Sequence, residues 1–161
     1  YPLPEAQLDR FMMKIRIPYP EASAEEAVLR RYSSGFSAHD RTDELLDPVF
    51  SPSQLGELLE TIGKVHVDAS LFGYVQQVMA ATRDSDLLVL GAGTRAGLHL
   101  LLGCRVWAAL AGRDFVTPDD IKELAPAVFS HRLLLQADAQ VDGLRPEEVL
   151  DDILRRVEVP R

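Results

Sequence analysis

The chain has 161 residues, of which 47% are hydrophobic and 26% charged, enough to bury a core in one domain or one domain with an appendage. A net charge of −8 argues against nucleic acid or an anionic membrane as partner, because no basic face stands out to neutralise phosphates. The single cysteine, Cys104, excludes a disulfide framework and a thiol zinc site; with no signal-like start and no apolar run fit to span a bilayer, this points to a reducing cytoplasm.

At the start, Pro4 suits the first turn of a short helix through Leu8 and Asp9. Phe11, Met13, Ile15 and Ile17 then alternate with Met12, Lys14 and Arg16 in the period of a strand, which Pro18 and Pro20 stop. A lone strand needs a ladder partner, and the remaining sequence offers few, so its natural sheet is expected to be mostly missing.

From Ser23 the signals are helical. Ser23 with Glu26 has capping-box form, Val28, Leu29 and Tyr32 follow at helical spacing, and Gly35 is a natural stop. Phe36 to Pro48 reads as a polar surface loop containing His39. Ser51 and Gln54, with Pro52 between, open a helix whose Leu55, Leu58, Leu59 and Ile62 form a buried stripe. Asp68 caps the next, with Leu71, Phe72, Val75, Val78 and Met79 on its core face.

The apolar run Leu87 to Leu90 breaks at Gly91 and Gly93 and enters a helix from Arg95 to about Ala111, apolar nearly all round and expected at the centre of the bundle. Arg95, His99 and Gly103 leave it one polar or small stripe. With Thr94 as N-cap, Arg95 falls in the first turn, where free N–H groups and the helix dipole disfavour a cation. Either the arginine points into water at small cost, or it marks a phosphate site.

Gly112 stops this helix, and Thr117-Pro118-Asp119-Asp120 starts another, limited by Pro126. His131 to Leu135 is a short strand or a connector, Asp138 to Gly143 is turn-like, and Pro146 opens a last helix buried through Val149, Leu150, Ile153 and Leu154. His39, His66, His99 and His131 are scattered and form no metal-ligand set, and the phosphate-cradling G-x-x-x-x-G-K-[ST] loop is absent. Cys104 reads as a buried filler.

Leu3-Pro4-Glu5-Ala6-Gln7-Leu8-Asp9-Arg10-Phe11, Gly91 to Ala96, Gly112 to Ile121 and His131-Arg132-Leu133 together resemble, in order and spacing, the C-terminal part of MoxR-type AAA+ ATPases. The resemblance implies a mainly α fold, a helical bundle with a short N-terminal strand left over from the α/β core. Residues 1–20 would be the core remnant, with its arginine-finger helix and last strand, and residues 21–161 the helical lid. It implies that Arg10 is an arginine finger acting on a neighbouring subunit's nucleotide, and that Arg95 is the sensor 2 arginine, reading nucleotide in its own subunit. Tyr19 and Pro20, at the hinge, would line the adenine pocket or serve only as linker. ATP and Mg are the cofactors implied for the full-length parent, with none expected in this piece, which should not hydrolyse ATP alone. The implied partners are other copies in a ring, client proteins for chaperone-like maturation, and proteins with von Willebrand A domains. A competing reading, with the motif matches coincidental, is a stand-alone helical adaptor without a nucleotide role; a DNA-binding bundle is disfavoured by the acidic balance.

Overall fold

A computed structural model describes residues 3–37 and 47–160, so His39 and most of the predicted loop around it lie outside the described residues. The chain divides into two compact units, one formed by Tyr1–Ile15 with Leu59–Arg161 and the other by Arg16–Leu58.

The larger unit holds the core. After the short α1 (Glu5–Leu8) it contains α4 (Ala69–Arg83), β1 (Leu88–Leu90), α5 (Thr94–Leu110), α6 (Pro118–Phe129), β2 (Leu134–Leu135), α7 (Ala137–Val141) and α8 (Pro146–Arg156). Local chemistry sets several of these starts. The Asp68 carboxylate accepts the Ser70 N–H at 2.8 Å to open α4, and Thr117 and Asp120 cap each other reciprocally to open α6. Apolar residues of α4 (Leu71, Val75, Val78), α5 (Leu100, Ala108), α6 (Ile121, Val128, Phe129) and α8 (Leu150, Ile153, Leu154) interlock with the buried Cys104. β1 and β2 form an antiparallel pair, Leu88 opposite Leu135 and Leu90 opposite Leu134. In the smaller unit, α2 (Ala22–Ser33) and the start of α3 (Pro52–Gly63) contain no buried residue.

The mainly helical fold expected from sequence is present, with local differences. No strand forms over Phe11 to Ile17; the segment is irregular, and among its backbone bonds Lys14 N–H donates to Ala127 O at 2.8 Å, too little for a ladder. The first long helix begins at Ala22 after Glu21, without a side-chain cap from Ser23. The α3 stripe Leu55, Leu58 and Leu59 is exposed, as is Phe72 of α4, because an amphipathic pattern does not state which apolar face finds cover. Likewise α5 is not surrounded: Ala96, Gly97, Leu100, Gly103, Cys104 and Ala108 are buried, while Leu98, Leu102, Trp107 and Leu110 face outward. Pro126 lies inside α6, which continues to Phe129; the carbonyls of its last turn are taken by Ser130 Oγ and Lys14 N–H. The turn-like Asp138 to Gly143 is largely helical, as α7, and His131 to Leu135 is a 3-10 turn (Ser130–Arg132) leading into β2. Gly35 and Gly112 end their helices with φ of 96° and 71°, in the left-handed region expected of them.

Candidate functional site

The β1–α5 turn is clamped onto the end of α4. Thr82 Oγ1 accepts the Ala92 N–H at 2.9 Å and Arg83 Nε donates to Ala92 O at 2.8 Å. At Gly91 the contact is closer still, since a Cβ there would sit 2.7 Å from the Thr82 carbonyl carbon and the Arg83 nitrogen. Gly93 occupies the N-cap position and Thr94 is the first helical residue, so the predicted threonine cap is not formed. The first turn of α5 therefore has no side-chain oxygen from its own N-cap.

Arg95 projects from this turn, and it is not left to water or a stray anion. Its Nη1 donates to Asp9 Oδ2 at 2.8 Å. The carboxylate comes from the C-terminal end of α1 and relieves both the cation and the dipole that disfavours it. Both side chains are substantially exposed, so the pair stabilises the fold by no more than about 1 kcal/mol.

The other Asp9 oxygen meets a different kind of arginine. Arg132 Nε donates to Asp9 Oδ1 at 3.2 Å, and the Arg132 side chain is only 2% exposed. Its remaining nitrogens donate to Asp9 O at 3.0 Å, Phe11 O at 2.5 Å, Met12 O at 3.3 Å and Val128 O, and Nη2 lies 2.8 Å from His99 Nδ1. A guanidinium can only donate, so His99 Nδ1 carries the lone pair and the ring is neutral, with its proton on Nε2. Burial, reinforced by the charges of Arg132 and Arg95 and opposed by Asp9, holds the His99 pKa below its ordinary value. Burial also lowers the Arg132 pKa, while Asp9 supports its charge. His131 Nε2 reaches Phe11 O at 3.1 Å, and burial lowers its pKa too.

Beside this network is a cleft of about 500 Å³, lined among others by Glu5, Leu8, Asp9, Leu90, Gly93 and Arg132. Arg10 is exposed and directly follows Asp9, whose carboxylate is taken by Arg95 and Arg132. Arg95 thus bonds the acidic residue that immediately precedes Arg10 in the chain. Tyr19, 94% exposed, and Pro20 lie on the surface of the smaller unit. Among the described residues no group of three or more His, Cys, Asp or Glu side chains could hold a metal ion. Arg132 stood in the sequence only as part of the His131-Arg132-Leu133 motif, with no role of its own. Its signal was present: an arginine set among Val128, Phe129 and Leu133 to Leu135 must bring buried acceptors with it.

The AAA lid domain family matches residues 80–153. The chain is 34% identical over 160 residues to the uncharacterized protein YeaC of Bacillus subtilis, a match covering 99% of this chain and 48% of YeaC. It is 35% identical over 170 residues to the chaperone MoxR1 of Mycobacterium tuberculosis, covering 100% of this chain and 43% of MoxR1. The crystal structure of "a putative ATPase" from Cytophaga hutchinsonii superimposes with a TM-score of 0.85 at 32% identity, over the whole of this chain and 50% of that one. The chain spans about half the length of the relatives it matches. Motif order, helical architecture and similarity along the whole length agree: the chain matches throughout the C-terminal, lid-bearing portion of MoxR-type AAA+ proteins.

Proposed function

We propose that this portion is the nucleotide-responsive lid of an ATP-hydrolysing ring, with Arg95 as a phosphate contact and Arg10 as an arginine finger toward a neighbouring subunit. The observation that carries the reading is the Arg95–Asp9 pair at the start of a 17-residue helix. A position that binds a carboxylate oxygen through a guanidinium, next to helix amides, is chemically suited to a phosphate oxygen. ATP with Mg supplies the transferable phosphoryl group. This chain supplies cationic contacts but no phosphate loop, so the phosphates and the metal are held by other parts of the parent protein. Exchange of Asp9 for phosphate on Arg95 would break the direct tie between α5 and the end of α1, linking nucleotide state to lid position.

In the full-length ATPase, Arg10→Ala is expected to lower kcat by about 10³-fold or more and Arg95→Ala by roughly 10–100-fold. Mixed rings containing a minority of variant subunits assign each arginine to its own or its neighbour's nucleotide. A second reading, that both arginines serve the neighbour's nucleotide, is favoured by Asp9, which is bonded to one and adjacent in sequence to the other. An Arg10→Ala subunit that leaves its neighbours' turnover unchanged would remove the finger assignment. The 161-residue chain alone is expected to show no Mg-dependent ATP turnover, and measurable turnover would overturn the division of labour.

The output proposed for the ring is chaperone-like maturation of client proteins in the cytoplasm, with von Willebrand A domain proteins among its partners. Its support is the name chaperone carried by the MoxR1 relative. Among the described residues no helix is long and apolar enough to cross a membrane.

A further inference from the structure

The buried guanidinium of Arg132 does more than neutralise Asp9. It donates to the backbone carbonyls of Asp9, Phe11 and Met12, residues that lie on both sides of the exposed Arg10. On its other side it is anchored to α6 through Val128 O and to α5 through His99 Nδ1. The segment's other polar ties to the bundle are single bonds, Arg95 to Asp9, His131 Nε2 with Phe11 O and Lys14 N–H to Ala127 O, whereas Arg132 holds several of its residues at once; α1 is one turn long, and residues 11–14 belong to no helix or strand. We infer that Arg132 is the positioning residue for Arg10, a buried strut that fixes the backbone of the finger segment to the helical bundle so that the Arg10 side chain is presented in one place.

The physical case rests on what the side chain could otherwise do. An arginine that is 2% exposed requires acceptors for its N–H groups, and any core position could satisfy them with nearby helix-end carbonyls. Here three backbone acceptors, besides the Asp9 carboxylate, come instead from residues more than a hundred positions earlier in the chain, clustered within four residues around Arg10. Lysine cannot replace this geometry, since a single ammonium lacks the planar fork that reaches separate carbonyls. His99 completes the arrangement as a neutral acceptor that orients Nη2.

The inference rests on Arg10 acting as the finger, so the test has two arms. In this chain, Arg132→Lys is expected to speed amide hydrogen exchange at Phe11 and Lys14 on the order of 10–100-fold, with the amides of α5 and α8 unchanged. In mixed rings of the full-length ATPase, Arg132→Lys subunits are expected to lower kcat at the neighbouring site about tenfold with KM unchanged. If Arg132→Lys does not fold, His99→Ala removes one anchor of the guanidinium and is expected to give the same pattern at smaller amplitude. Unchanged exchange at Phe11 and Lys14 would overturn the strut. So would a loosened segment with full neighbouring kcat in an ATPase that Arg10→Ala does impair, and this leaves the finger assignment standing. An ATPase indifferent to Arg10→Ala removes both.

Discussion

His99 faces a group that can only donate, and its bond to Arg132 exists only while the ring is neutral. That has a consequence in acid. The folded-state pKa values of His99 and His131 are both held below the ordinary histidine value, so as pH falls the unfolded chain takes up these protons first. Stability is therefore full at pH values above about 7 and declines as pH falls through the unfolded histidine range near 6.5. Urea unfolding at pH 8 and pH 5 should show a lower midpoint at pH 5, and His99→Gln, which keeps an acceptor but cannot titrate, should reduce the difference. The lowered carboxyl pKa of Asp120 acts in a separate window, its contribution being lost only as pH falls below the ordinary carboxylate range. Equal midpoints at pH 8 and 5 would contradict the neutral ring.

At the level of elements, two glycines of one turn have opposite requirements. Gly91 is pressed against the backbone of Thr82 and Arg83, whereas a Cβ at Gly93 meets nothing within 4 Å. Gly91→Ala is expected to cost about 2 kcal/mol and Gly93→Ala to change stability by less than about 1 kcal/mol, both read from denaturant midpoints. The start of α6 is the other local determinant. Asp120 accepts from Thr117 N at 2.7 Å and from Arg113 Nη1 at 2.9 Å while almost wholly buried, so Asp120→Asn should destabilise by about 2 kcal/mol. Starts of this kind were legible in the sequence, because Thr117 with Asp120 and Ser51 with Gln54 interact across three residues. What was illegible depends on distant partners. The letters at Gly91 and Gly93 are identical, and the approach of α4 tells them apart. Leu98 and Leu100 are equally apolar, and only packing decides that one is outside and the other inside. Asp9 stands next to Arg10 in the sequence, yet its carboxylate is taken by Arg95 and Arg132, 86 and 123 residues away.

For the whole chain, burial is distributed very unevenly. Every residue of the core belongs to the larger unit, and the described residues of Arg16–Leu58 include none that is buried. Helix α2 has no apolar face under cover to hold it, so its amides should exchange through local opening, far faster than those of α5 and α6, which open only with the core. Equal protection in α2 and α5 would contradict this. The core also contains the chain's one thiol. Cys104 is fully buried, and burial pushes its pKa up to about 12, so it is neither reachable nor ionised while the bundle is closed. Its reaction with a thiol reagent under native conditions accordingly counts global openings one molecule at a time. The protein thus contains its own clock for unfolding, and a cysteine introduced on the surface can be labelled selectively against a silent background.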